Sequence, residues 1–353
     1  MKILLVSALP PPAGGIATWT ERYLEYCSTH NIMTSIVNIA LRGNRLQRIN
    51  DKINIKDELK RTVHVIMDMH KEVESSDATV VHMNTSCGSL GIFRDYLCVR
   101  EAYKKKLPIV LHFHCNVDNR VHGRARMRAL KRMTQMADQI LVLNSTSENF
   151  VSQFSKTKPT IIPNFVNSDF LTDKHRIREN IQEVVFVGHV QITKGSKEIL
   201  ETAAQLPEIH FTMIGPIADE IAALHCPSNV SLVGPKDPDE VKQFLEEADI
   251  FLFPSYTEGF SLSLTEAMAT GLPAIATEVG ANRDMLEDKG GIIVPVKNTD
   301  AIVEAIAKLE DKELRKQLSD WEIDKVRNHY LTDIVMGQLT DIYKGLEIKS
   351  GMF

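Results

Sequence analysis

Short apolar runs of strand length recur along the chain, each followed by a stretch that can turn back as helix. They fall at 2–6, 34–39, 78–83, 108–113, 139–143 and 160–162, then at 184–187, 209–214, 230–233, 250–253, 274–277 and 291–294. Apolar residues at helical spacing follow several of them, as in 16–27, in Met127, Leu130 and Met133, and in Leu264, Ala267 and Met268. Three more helices are expected at 299–309, 311–328 and 331–347. Apolar runs alternating with helices predict α/β units with parallel sheets.

The unit at 249–274 is the most informative. The run Ile250-Phe-Leu-Phe253 meets Pro254, which cannot donate to a central ladder, and a loop follows before the helix that begins near Ser261. In a parallel sheet that loop lies at the carboxyl end of the strands, where ligands bind, and the free N–H groups of the helix favour an anion. Gly259 lets backbone come close, and Ser261 or Ser263 is suited to cap the helix. Glu258 and Glu266 stand eight residues apart in this unit, and their spacing alone describes solvated surface charges.

Composition narrows the class. The 353 residues allow about two domains, and 43% apolar with 25% charged residues is ordinary for a globular chain. Cys27, Cys87, Cys98, Cys115 and Cys226 are scattered, so neither a disulfide framework nor a zinc site is expected and a reducing cytoplasm fits. The N-terminal apolar run stops at Pro10, too short for a signal peptide or a spanning helix, and reads as a buried first strand.

The formal charge of −5 hides an asymmetry: residues 1–165 hold 23 Lys and Arg against 14 Asp and Glu, the rest 18 against 32. With no nucleic-acid motif in the basic half, its expected partner is anionic, a phospholipid surface or a phosphate-bearing acceptor. Two stretches concentrate the charge. One is 42–61, with Arg42, Arg45, Arg48, Lys52, Lys56, Lys60 and Arg61, read as a loop running into a helix. The other is 120–132, with Arg120, Arg124, Arg126, Arg128, Lys131 and Arg132, read as a basic amphipathic helix.

Further candidates are sparse. Gly14-Gly15 after three prolines can bare N–H groups to a phosphate, although such a pair is commonly a plain turn. Neither GxGxxG nor a P-loop occurs, which argues against a nicotinamide enzyme or a P-loop ATPase. His112 and His114 share one side of an extended segment. Asp237 and Asp239 form a DxD triplet, but their place before Val241, Phe244 and Leu245 reads as a helix cap, and no metal or cofactor is expected.

The ordered string from Pro254-Ser255 through Glu258-Gly259-Phe260, Glu266, Ala267-Met-Ala269 and Gly271-Leu-Pro273 to Val279-Gly280 resembles the donor-binding signature of retaining glycosyltransferases of family 4. Gly188-His189-x4-Lys194-Gly195 resembles the family's Gly-Arg-x4-Lys-Gly, with histidine at the arginine position, and Pro163-Asn164 resembles its interdomain junction. The resemblance implies a GT-B fold, two Rossmann-like doubly wound domains facing across a cleft. Its parts would be an acceptor-side domain at 1–166, a linker at 167–182, a nucleotide-sugar domain at 183–330 and a last helix, 331–353, crossing back to the first domain.

It also implies roles. Lys194 and His189, with Gly188, would hold the donor pyrophosphate; Glu258 the sugar hydroxyls, Glu266 the ribose, and the backbone of Gly259, Phe260, Ser261 and Leu262 the phosphates. His114 would touch the transferred sugar, with Gly14 and Gly15 completing the site. His114, Lys194 and Glu258 are thus the expected catalytic set. The implied activity is metal-independent retaining transfer from a nucleotide diphosphate sugar to a glycan or lipid-linked acceptor, in envelope, capsule or exopolysaccharide assembly. The expected place is the cytoplasm, with peripheral contact on the inner face of an anionic membrane. A GT-B sugar-nucleotide epimerase and a catalytically silent nucleotide-sugar-binding protein are the alternatives, the second motivated by His189.

Overall fold

The structure, a computed structural model, describes residues 1–11, 14–40, 55–75 and 77–350. Arg42, Arg45, Arg48 and Lys52 of the basic stretch, and residues 12 and 13 of the turn before Gly14, lie outside the described residues. The chain divides into two compact units. One comprises Met1–Asn164 together with the residues from Thr332 on, the other Phe165–Leu331.

The first unit runs β1 (Lys2–Ser7), α1 (Gly15–Thr29), β2 (Met33–Asn38), α2 (Ile55–Ser75), β3 (Val80–Thr85), α3 (Gly91–Lys104), β4 (Ile109–Phe113), α4 (Val117–Arg120), α5 (Arg124–Met136), β5 (Gln139–Val142), α6 (Ser145–Ser152) and β6 (Thr160–Ile161). The second runs β7 (Glu183–Val187), α7 (Ser196–Gln205), β8 (His210–Ile214), α8 (Asp219–Ala222), β9 (Val230–Gly234), α9 (Pro238–Glu247), β10 (Ile250–Phe253), α10 (Leu262–Ala269), β11 (Ala274–Thr277), α11 (Asn282–Leu286), β12 (Gly291–Val294), α12 (Thr299–Lys308) and α13 (Lys312–His329). The last helix, α14 (Thr332–Ser350), belongs to the first unit.

Each unit has a six-stranded parallel sheet, ordered β2-β1-β3-β4-β5-β6 and β12-β11-β10-β7-β8-β9. Strands such as β3, β4, β10 and β11 are buried along their whole length, as expected when helices cover both faces. In each sheet the chain starts in the middle, builds outward one way, then returns to build the other. The reversal falls between β1 and β3 in the first sheet and between β7 and β10 in the second. Loops leaving the carboxyl ends of those pairs diverge and leave a crevice.

Two expectations change here. The polar stretch 167–182 is packed into the second unit rather than lying free as a linker. Phe170 and Ile181 are buried, and the buried His175 ring sets its nitrogens 2.9 and 3.0 Å from the carbonyls of Thr270 and Ala248. The basic helix does not begin at Arg120. Gly123, at φ +86°, separates the short α4 from α5, since a left-handed residue cannot continue a helix.

The core of the first unit includes a polar column. Tyr343 of α14 hydrogen-bonds His82 Nδ1 and, at 3.1 Å, Tyr23; His82 Nε2 lies 3.3 Å from His112 Nδ1, and Trp19 stacks on Tyr23. Burial pushes His82 down to about 3 and His112 well below the usual imidazole range, so both rings are neutral.

The second unit buries a carboxyl instead. Glu322 of α13 is fully buried, neither oxygen has a hydrogen-bond partner among the described residues, and burial raises its pKa well above the usual carboxylate range. A raised folded pKa means that the stability contribution is complete below the unfolded value and is lost as pH climbs toward the folded one. Glu322→Gln is therefore expected to gain on wild type between pH 4.5 and 8, by more than about 1 kcal/mol, the worth of one pKa unit. Urea unfolding at the two pH values checks it, and a pH-independent difference refutes it.

Candidate functional site

The loops after β7 and β10 meet at the reversal point of the second sheet. After β7 the chain passes Gly188, at φ +156°, and His189, makes a single turn at Ile192–Lys194, and enters α7 through Gly195 in the left-handed region at φ +76°. A Cβ on Gly195 would lie 2.2 Å from the Pro254 carbonyl oxygen, so only glycine lets this loop close on the one after β10. The Tyr256 N–H donates to the Thr193 carbonyl at 3.0 Å and latches the two loops together.

Their side chains converge. Lys194 Nζ donates to Glu258 Oε1 at 2.5 Å, and the same oxygen accepts from Ser255 Oγ at 2.7 Å. Both partners are partly buried, and Lys194 Nζ lies 6.0 Å from the Phe253 ring centroid. His189 stands half-buried nearby; burial, then the Lys194 charge, lowers its pKa, so the imidazole is neutral at pH 7. Lys194 is thus the cation this corner offers an anion at neutral pH, and the Glu258 carboxylate holds it.

The loop from Glu258 into α10 is pinned from behind. Gly280, at φ +55°, backs onto it so closely that a Cβ would meet the Glu258 carbonyl oxygen at 2.5 Å, and Ala281 N–H donates to Gly259 O at 2.9 Å. Ser261 caps α10, its Oγ accepting from the Leu264 N–H at 3.1 Å. The Ser261 hydroxyl keeps its own proton to donate, with Ser263 Oγ 3.1 Å away. Phe260 turns its ring inward against Tyr330, centroids 5.4 Å apart, and leaves only main chain for binding. Leu262 opens α10, and Glu266 sits half-buried one turn in.

Asp237 is the N-cap of α9. Its carboxylate accepts from the Glu240 N–H at 2.9 Å and Glu240 returns the bond to the Asp237 N–H at 3.2 Å, a reciprocal capping box, with Asp239 in the first turn.

The sequence reading missed Glu198. It is buried on α7 and accepts from Tyr256 Oη at 2.6 Å, while Lys297 Nζ lies 4.8 Å from the Tyr256 ring centroid. A glutamate on an amphipathic helix carries no sequence signal that a residue 58 positions away will cover it.

In the first unit, Gly14 and Gly15 open α1, the helix after β1, with nothing among the described residues within 4 Å of a Cβ built on either. His114 follows β4; it is half-buried, its ring is tilted 43° to that of His112 with centroids 4.0 Å apart, and its Nε2 lies 3.1 Å from Asn84 Oδ1.

Residues 167–322, nearly the whole of the second unit, match the family of glycosyl transferases group 1. The second unit is therefore similar to that family. Two curated proteins to which the chain is similar are a glycosyltransferase of Bacillus subtilis named for teichuronic acid biosynthesis and a phosphatidyl-myo-inositol mannosyltransferase of Propionibacterium freudenreichii. The first is 23% identical over 60% of this chain and 57% of its own length, the second 24% identical over 64% and 59%. The matches span 65, 57 and 33% of the length of the first curated relatives. Among solved structures, Anabaena HepE in complex with UDP superposes with a TM-score of 0.75 at 14% identity, over 98% of this chain and all of that one. The fold of the chain is GT-B.

Proposed function

We propose that the chain is a retaining, metal-independent glycosyltransferase that moves a sugar from a nucleoside diphosphate to a hydroxyl of a glycan or lipid-linked acceptor in envelope or exopolysaccharide assembly. The observation that carries this is the Lys194–Glu258 pair at the reversal point of the second sheet, beside the start of α10. Breaking the sugar–phosphate bond builds negative charge on the leaving diphosphate. Lys194 can take that charge once Glu258 releases it, and the N–H groups of residues 259–261 and the positive end of α10 add to it. The freed Glu258 carboxylate can then accept from sugar hydroxyls, with Glu266 on the ribose. The capping role of Asp237 removes the DxD triplet as a reason to invoke a metal. That HepE binds UDP supports a nucleotide donor.

The test is donor consumption by the full chain over a panel of nucleotide sugars, with and without extracted lipid acceptors and with EDTA. Acceptor-dependent transfer with an unchanged anomeric centre by NMR, insensitive to EDTA, is expected. Consumption that needs no acceptor and yields an isomerised nucleotide sugar would instead identify an epimerase, and binding without consumption a silent protein.

Because the His189 imidazole is neutral when alone, a bound diphosphate that raises its pKa must draw in a proton, so affinity should rise as pH falls from 8 to 6. Titration calorimetry with UDP should show that rise in wild type and a flatter profile in His189→Arg; equal profiles would exclude His189 from the phosphate.

A second observation favours an anionic membrane as partner. Leu59, Val63 and Met67 recur every fourth residue on α2 and are 63, 51 and 65% exposed, an apolar stripe facing solvent. Exposed Lys56, Lys60 and Lys71 lie on the same side. Apolar and basic residues on one outward face suit a headgroup boundary of negative charge. Together with the relative that acts on a phosphatidylinositol, this supports a lipid-linked acceptor. Flotation with anionic vesicles should exceed that with neutral ones at low salt and fall in Leu59→Ser/Met67→Ser; indifference to vesicle charge would remove the membrane contact.

A further inference from the structure

The side chain of His114 ends a series of hydrogen bonds whose direction is fixed at the far end. The Ile16 carbonyl can only accept, so the Thr20 hydroxyl directs its proton there, over 2.7 Å. Thr20 Oγ1 must then accept from the Ser7 hydroxyl, 2.7 Å away. Ser7 Oγ, its own proton committed, accepts from Asn84 Nδ2 at 2.9 Å. That orients the Asn84 amide with Oδ1 toward His114 Nε2, 3.1 Å away. An amide oxygen cannot donate, so Nε2 carries the ring proton and Nδ1 keeps its lone pair.

The sheet makes this possible. Ser7 ends β1, Asn84 lies near the end of β3, and these strands are neighbours at the reversal point of the first sheet. Ser7, Thr20 and Asn84 are all fully buried, so no solvent competes to turn the amide over. Burial, with a smaller contribution from His82, lowers His114 to about 3, which keeps the ring neutral. Nδ1 has no hydrogen-bond partner among the described residues, and the residue is half-buried.

We propose that Asn84 is a positioning residue that locks His114 in the Nε2-protonated tautomer, so that Nδ1 is presented as an acceptor for a ligand hydroxyl. The ligand half of this rests on the reading of His114 as a contact to the transferred sugar. In this form His114 takes a hydrogen bond from the sugar and supplies no proton to it.

The test uses the full chain with ¹⁵N-labelled histidine rings and no ligand, His114 being assigned by its loss in His114→Gln. Two-bond nitrogen–proton spectra should show Nε2–H from pH 6 to 8 without titration. The titratable rings facing His114 are His112 on β4 and His82 on β3, both neutral. In Asn84→Asp, a same-shaped carboxylate favours the imidazolium, and His114 should begin to titrate within that window. Ser7→Ala, a milder change, frees the amide to turn and should move the Nδ1 and Nε2 shifts toward each other. An Nδ1–H ring in wild type, or an Asn84→Asp protein whose His114 neither titrates nor changes tautomer, overturns the proposal. If these spectra behave as expected but His114→Ala transfers sugar at the wild-type rate, the sugar contact fails while the Asn84 assignment stands.

Discussion

Replacing Lys194 with alanine is expected to lower sugar transfer by about 10²–10³-fold, the typical cost of removing one preorganised group that meets transition-state charge. The loss should fall on kcat as well as on kcat/KM, because the charge on the leaving diphosphate grows during bond breaking. Stability should barely change. The Lys194–Glu258 pair is a partly exposed ion pair, and such pairs contribute about 0–1 kcal/mol. Retained melting temperature with lost turnover is therefore the signature, read by scanning calorimetry beside initial rates. Lys194→Arg keeps the charge but presents a planar fork that must fit beside Ser255 and Phe253, and should recover only part of the rate. A Lys194→Ala protein within threefold of wild type would sink the assignment.

Gly195→Ala is expected to damage both fold and activity. Its φ of +76° is a left-handed conformation that costs an L residue roughly 1–2 kcal/mol. The added Cβ would also stand 2.2 Å from the Pro254 carbonyl oxygen and 2.6 Å from its ring, contacts that only movement of the backbone can relieve. Together these should destabilise the chain by about 3 kcal/mol or more, in the range reserved for strained backbone and overpacked sites. The relief has one direction, the loop after β7 moving off the loop after β10. That opens the Tyr256–Thr193 latch and draws Lys194 from Glu258, so surviving folded protein should also lose turnover. Chemical denaturation and assay of the folded fraction check both halves. A variant as stable as wild type would mean that the two loops are not held as described.

Much of the architecture was legible in the sequence because parallel strands buried on both faces leave uninterrupted apolar runs. The runs at 250–253, 274–277 and 291–294 coincide with β10, β11 and β12, and the others differ from their strands by one or two residues at the ends. Helix α3 was not legible. Nothing in the pattern marks Arg94 and Asp95 as interior, yet both are buried, because Arg94 binds Asp95 at 2.7 Å and Thr85 Oγ1 closes on the other carboxylate oxygen at 2.6 Å. The polar stretch at 167–182 misled for the same reason, since a buried His175 bonded to carbonyls looks in sequence like any loop histidine.

The candidate site was legible as a set of residues and not as a set of bonds. Motif spacing marked Lys194 and Glu258 separately. That they hold one another over 64 positions, and that His114 depends on Asn84 and Asn84 on Ser7, follows from sheet order, which local pattern does not encode.

The first unit is discontinuous in the chain, and this bears on the order in which the protein can be made. Residues 165–331 form the second unit from one uninterrupted stretch, so they can fold as soon as they leave the ribosome. The first unit lacks α14 until the second unit has been made, and with it Tyr343, the hydroxyl that both His82 and Tyr23 require. Its sheet thus waits for the hydroxyl that meets His82 Nδ1 while the later-made unit is already complete. Synthesis runs from the N-terminus, but the N-terminal unit closes after the unit that follows it.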